Sequence, residues 1–299
     1  MTDSRSPWLK LRRNPAAIVS AIILICVAIA AVIGPLLAPI GAGEVTRNSF
    51  LTPSDLHLFG TDLNGRDLLY RVLLGARISL LVGVAGALVS FIVGVVYGMI
   101  AGYIGGHTDS VMMRFVDVLY SIPRLIFLLV LISALDPMLR RQLESHGLQP
   151  FIGYSKIILL ILSLGLTEWL NMARIIRGQV LGLKSQQFVL AARSIGQSHT
   201  NIIFKHLLPN LLGVALVYLT LTVPAVILDE SFLSFLGVGI QAPLASWGLL
   251  LSDAAQVINP IKGYWWLLVF PAVAMSLTLV ALNFLGDGLR DAFDPRQRK

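Results

Sequence analysis

Long apolar runs constrain this chain more than any other feature of its sequence. Ala16 to Ala38 contains no charged residue, and a helix of that length crosses a hydrocarbon core of about 30 Å. Further runs lie at about Ile78 to Gly102, Val116 to Leu135, Ile157 to Met172, Leu208 to Leu228 and Tyr264 to Leu285. Lipid offers no partner to backbone N–H and C=O groups, so spans of this kind predict helices. The fold class expected is an all-α polytopic membrane protein with six transmembrane helices. Composition agrees, since 56% of the 299 residues are hydrophobic and 13% charged, which excludes a soluble domain of ordinary make-up.

The stretches between the runs set the organisation. Residues 1–15 are a basic tail with Arg5, Lys10, Arg12 and Arg13, and the run at 16–38 exceeds a signal-peptide core, which predicts a retained anchor. Residues 39–76 carry Gly, Asp and Asn turn formers and are expected to stand outside the bilayer. Residues 77–285 then form the membrane core, interrupted by a polar segment at 187–210, and 286–299 are a second tail. Fourteen Lys and Arg residues fall on the side of the two tails and the 187–210 segment, including Arg114, Arg174, Arg177, Lys184, Arg193, Lys205, Arg290, Arg296, Arg298 and Lys299. Seven fall opposite: Arg47, Arg66, Arg71, Arg140, Arg141, Lys156 and Lys262. The positive-inside rule places both termini and the polar segment in the cytoplasm. This distribution accounts for the net charge of +7 without a nucleic-acid partner. The single cysteine, Cys26, lies inside the first run and excludes an internal disulfide.

Within the polar segment, Phe188, Ala191, Ala192 and Ile195 recur at i, i+3, i+4 and i+7, which predicts a short helix with one apolar stripe. Gly196 is expected to end it, and Ser198 or Thr200 to cap a second helix running to Pro209. In the second run Gly94, Gly98 and Gly102 mark a face for close helix packing. Asp62 and Asp67 are expected to cap turns or a short helix, with Arg66 pairing to either. Ionisable residues near the spans are Asp117, Arg124, Glu168, Arg174, Asp229 and Glu230; Asp117, Glu168 and Glu230 are candidates for a pathway or gate, with Asp117 and Arg124 on one helix face. Gly178 to Ser185 reads GQVLGLKS and lacks the glycine that a phosphate loop requires before its lysine, so no ATP site is expected on this chain. The five histidines are scattered, so no metal site is expected.

The polar segment resembles the cytoplasmic signature of ATP-binding-cassette importer permeases, EAA, three residues, Gly, nine residues, then I-x-L-P. Ala191, Ala192, Gly196, Leu208 and Pro209 stand at that spacing, with Leu190 in place of the usual Glu and His206 in place of Ile. Lys205-His206-Leu207-Leu208-Pro209-Asn210 is similar to the R-H-I-L-P-N ending of the dipeptide and oligopeptide branch. His57 to Asp67, followed by Gly75-Ala76-Arg77-Ile78-Ser79-Leu80, resembles the H-x-F-G-T-D-x-x-G-R-D signature of that branch's second, C-type permease. Glu230 to Trp247 resembles its E-x-x-L-S-F-L-G-x-G segment, and Gly286 to Asp291 with Asp294-Pro295 its C-terminal signature. The resemblance implies a type I ABC importer permease fold with a cytoplasmic coupling helix and an external segment between helices 1 and 2. It implies a non-catalytic subunit in a bacterial inner membrane that imports peptides by alternating access. The implied partners are a homologous second permease, two cytoplasmic ABC ATPase subunits that hold the ATP and Mg, an external substrate-binding protein, the peptide and the lipid bilayer. Phe188, Ala191, Ala192, Arg193, Ile195 and Gly196 would then couple to an ATPase. Nickel, glutathione or antimicrobial peptides are alternative cargoes of close relatives, and a self-contained secondary transporter using Asp117, Glu168 or Glu230 is the rival of another class. Glu230 to Trp247 is expected to fold back on the outer face, and Asp287, Arg290 and Asp291 to tie the last helix to its neighbours.

Overall fold

The computed structural model describes residues 7–38, 41–257 and 263–293; Arg5, Pro39, Ile40, Lys262, Asp294, Pro295, Arg296, Arg298 and Lys299 lie outside them. Among the described residues the regular structure is helical. A short helix α1 (Pro7–Leu11) precedes α2 (Pro15–Leu37), whose start is set by Asn14 accepting from the Ala17 N–H at 3.2 Å, with Pro15 in the first position. Helix α3 (Leu68–Ile104) begins where the Asp67 carboxylate accepts from the Tyr70 N–H at 3.0 Å. That is ten residues before the expected start of the second span, so the non-helical segment after α2 ends at Asp67. The first turns of α3, Leu68 to Arg77, are largely apolar and are set apart from the run only by Arg71 and Arg77.

The third span is not one helix. Helices α4 (Gly106–Ser121) and α5 (Arg124–Ser145) meet at an 86° bend. Pro123 has no N–H to donate and holds Ile122 in an extended conformation, φ −80° and ψ 128°, which stops α4. After a 3-10 turn (Gln149–Tyr154) come α6 (Ser155–Leu183) and the short α7 (Gln187–Ser194). Helix α8 (His199–Asn201), a π-turn (Ile202–Leu207) and α9 (Leu208–Phe235) then run on as one stretch, so the expected second short helix is the base of the fifth span. Pro209 explains the π-turn, because its ring crowds the preceding turn, and the wider turn lets the Leu208 N–H reach the Ile203 carbonyl. Helices α10 (Trp247–Val257) and α11 (Trp265–Phe293) complete the chain. Among the described residues five stretches are long and apolar enough to cross a membrane, and the count is six if the bent α4–α5 pair is one broken span.

Helices α3 and α6 form the spine. An added Cβ would lie 2.5 Å from the Met172 Cβ at Gly94, 2.5 Å from the Ala173 carbonyl oxygen at Gly98 and 2.8 Å from the Val180 Cβ at Gly102. The glycine face thus lets α3 touch the backbone of α6, a partner that spacing alone does not name. Gly98→Leu is expected to cost about 3 kcal/mol or more through overpacking against backbone. Thermal melting of the purified complex checks this, and an unchanged midpoint would remove Gly98 from the packing face. At the other end, Asp287, Arg290 and Asp291 are exposed, contrary to expectation. Gly286 and Gly288 make the ties instead, allowing Leu221 of α9 and Ala17 of α2 to approach α11.

Candidate functional site

Three groups of residues carry the features singled out in the sequence. The first is α7 and its surroundings. Val189 and Ala192 are buried and join Met172, Ile176, Val180, Ile202, Leu207 and Leu211 in one apolar cluster. Phe188, Leu190, Ala191 and Ile195 stay exposed, Phe188 at 40% and Ile195 at 75%. The expected stripe is therefore divided: Ala192 turns inward with Val189 and anchors α7 to α6 and α9, leaving Phe188, Ala191 and Ile195 as a free apolar face. Gly196 terminates α7 with φ +74°, its N–H bonding the Arg193 carbonyl at 3.0 Å while the Gln197 N–H bonds that of Ala192 at 3.1 Å. This pairing is the Schellman motif. Ser198, not Thr200, caps α8, accepting from the Asn201 N–H at 3.3 Å. His206 Nε2 lies 3.0 Å from Gln197 Oε1, which gives a local reason for His in the signature: it fastens the loop after Gly196. Tyr103 Oη lies 2.7 Å from His199 Nδ1, and the exposed Arg193 guanidinium stands 5.3 Å over the Tyr103 ring. Lys184 Nζ donates to the Gly102 carbonyl at 2.9 Å. These links join α7 to the ends of α3, α6 and α9 as one unit.

The second group lies at the opposite end of the spans. Asp62 Oδ1 accepts from the Asn64 and Arg66 N–H groups, and its Oδ2 accepts from Arg66 Nε at 2.9 Å and Arg71 Nη1 at 2.8 Å. Arg71 also reaches Asp253 on α10 at 3.1 Å. Asp67, besides capping α3, places Oδ2 3.0 Å from His57 Nδ1. Among the described residues Arg66 pairs with Asp62 and not with Asp67, and Asp67 caps a long helix where a turn or short one was expected. Thr61 and Phe59 complete the segment: the Thr61 hydroxyl donates to the Asn48 carbonyl at 2.6 Å, and the Phe59 ring stacks on Phe270 at 3.9 Å. Nearly every position of the 57–67 signature has a structural partner. Arg71 and Asp253, which the signature reading left out, are visible only once α3 and α10 are side by side.

The third group lies within the spans. Arg124, just after the bend, pairs with Glu168 of α6 at 2.5 Å and with Asp229 of α9. Asp117 pairs with Arg174 at 2.6 Å, and that guanidinium lies 4.2 Å over the Tyr120 ring, whose hydroxyl donates to Asn171. Asp117 and Arg124 do not share a helix face, because the break at Pro123 separates them. Glu230 is fully buried and accepts from Ser234 at 2.7 Å and Ser79 at 3.0 Å, tying α9 to α3. In this arrangement Glu230 is therefore held inside the subunit and not on an open surface. The Ser79 hydroxyl also accepts from the Trp247 N–H at 3.3 Å, so the segment after Phe235 doubles back until Trp247 is level with Glu230. Among the described residues no three His, Cys, Asp or Glu side chains assemble as metal ligands.

Residues 94–299 match the family described as binding-protein-dependent transport system inner membrane component. Residues 5–53 match the N-terminal TM domain of oligopeptide transport permease C. The dipeptide transport system permease protein DppC of Bacillus subtilis (strain 168) is 46% identical over 303 residues, spanning 100% of this chain and 88% of the relative. The oligopeptide transport system permease protein OppC is 44% identical over 305 residues in Haemophilus influenzae, spanning 99% of this chain and 91% of the relative. In Escherichia coli (strain K12) it is 45% identical over 303 residues, spanning 99% and 93%.

Proposed function

This chain belongs to the family of binding-protein-dependent transport system inner membrane components, and on that premise we propose that it is the C-type permease of an ATP-driven importer of dipeptides or oligopeptides. It is a multi-pass, non-catalytic subunit of an inner-membrane system that works with an ATPase and a binding protein. In our reading it pairs with a homologous second permease, two ATPase subunits carry ATP and Mg, and both termini and α7 face the cytoplasm. The observation that carries the reading is the divided helix α7, two side chains buried in its own subunit and an apolar face left free at the signature spacing. A short amphipathic helix fixed at one side is suited to a groove on a partner.

The mechanism follows from that fixation. When two ATPase subunits close on ATP, a groove that holds Phe188 and Ile195 moves α7. Val189, Ala192 and the His206–Gln197 link transmit the motion to α6 and α9 without slack, so the spans rock together and the path opens to the other side. Nucleotide drives the switch only through the difference in its affinity for the two arrangements. Selection of cargo falls mainly to the binding protein.

Vesicles containing the whole complex are expected to accumulate peptide with ATP and binding protein present, sensitively to vanadate and insensitively to an uncoupler. The isolated chain is expected to bind no nucleotide. Uptake abolished by the uncoupler but indifferent to vanadate would favour a secondary transporter, and stoichiometric ATP binding by this chain alone would overturn the division of labour. Nickel or glutathione in place of peptide would correct the cargo and keep the machine.

A further inference from the structure

A cavity of about 130 Å³ opens at the bend between α4 and α5. Phe127, Leu166 and Leu170 supply apolar surface, and Tyr120, Asn171 and Arg124 supply polar atoms. An apolar cavity of about 150 Å³ holds benzene, so this one has room for a branched or aromatic side chain. Its surroundings argue against lipid as the occupant. Arg124 is 37% exposed and pairs with Glu168 and Asp229, which lie within the spans of α6 and α9. Charges at that depth cost a few kcal/mol against hydrocarbon and therefore face water or protein.

The polar atoms define the chemistry. One guanidinium is shared by Glu168 and Asp229, leaving an excess negative charge that disfavours an acidic occupant. Arg124 lines the cavity with a side chain 37% exposed, and Asn171 spends its carbonyl oxygen on the Tyr120 hydroxyl, leaving its amide to donate. Donors beside an apolar hollow match a peptide segment, carbonyl oxygens next to a side chain. We infer that this cavity is a subsite for one apolar side chain of the peptide in transit, with Arg124 and Asn171 donating to the backbone beside it. The inference rests on the peptide-importer reading and adds to it a place in this subunit where cargo is read.

The test compares uptake of Ala-Ala-Ala and Ala-Phe-Ala by the whole complex in vesicles, expressed as a ratio relative to the parent so that the binding protein's own preference cancels. Leu166→Trp fills the cavity and is expected to lower the Phe-to-Ala ratio about tenfold, the low end of what a hydrophobic pocket discriminates. Leu166→Ala enlarges it and is expected to raise the ratio. If the Trp variant fails to assemble, the Ala variant decides. A parental ratio in every variant that transports assigns the cavity to a lipid chain or to a side chain of the partner permease, and overturns the inference. A parent complex that moves no peptide would instead defeat the importer reading.

Discussion

Phe188→Asp is expected to abolish peptide transport and cargo-stimulated ATP hydrolysis while the chain still folds and inserts. Phe188 is 40% exposed and lies outside the buried cluster that fixes α7, whose members are Val189 and Ala192. A carboxylate there leaves the anchored face intact and places a charge where a partner must bury a ring. Losing an aromatic anchor at an interface costs about 2 to 4 kcal/mol, a weakening of about 30- to 800-fold. Gly196→Pro should have the same outcome by another route. Proline fixes φ near −65° against the +74° found here, and it removes the N–H that bonds the Arg193 carbonyl. The α7 terminus would open and the rigid link through Gln197 and His206 would slacken. The measurement is ATPase activity of the assembled complex with and without loaded binding protein. Normal stimulation in both variants would detach α7 from coupling.

The difference between what the sequence foretold at α7 and what it missed elsewhere has a physical cause. The end of α7 was legible because Gly196 answers a local demand, a left-handed residue after the last turn. The spans were legible because hydrocarbon imposes one rule on every position of a run. Which side of α7 faces its own subunit was not legible. Phe188, Ala191, Ala192 and Ile195 are all apolar, and only packing on Met172 and Ile176 turns Ala192 inward. The break in the third span was signalled by Pro123, but an apolar run on both sides outweighed one residue in a hydropathy reading. The consequence was a wrong placement on one face, since Asp117 and Arg124 seven positions apart share a face only on an unbroken helix. Their true partners, Arg174 and the Glu168–Asp229 pair, are separated from them by up to about a third of the chain, a distance that no periodicity spans. The partners of Glu230 were hidden for a related reason. An acid in an apolar run signals a buried partner or a water path, and the serines that decide between them come from α3 and from the same helix one turn on.

Asp62→Ala is expected to destabilise the end of the subunit formed by residues 57–71 and α10 more than any other single truncation there. Asp62 is 2% exposed, and both its oxygens are occupied by two backbone N–H groups and two guanidiniums. Among the described residues Arg66 then has no ionic partner, and Arg71, equally buried, keeps Asp253 alone while its Nη2 already lacks a partner. Breaking a buried pair costs about 3 to 5 kcal/mol because the remaining charge has no water to turn to. In a domain of this size that corresponds to a melting point lower by roughly 10 °C. The cause is the stranded cation, so Arg66→Met in the Asp62→Ala background should recover part of the loss, apolar volume replacing an unpaired charge. Asp62→Asn, which retains one acceptor oxygen but no charge, should fall between. Melting of the purified complex separates this from a role in cargo or binding-protein recognition. An Asp62→Ala complex that melts with the parent yet fails to transport would show that the carboxylate acts outward, and the ordering of residues 57–67 would then rest on Thr61, Phe59 and the Asp67 cap.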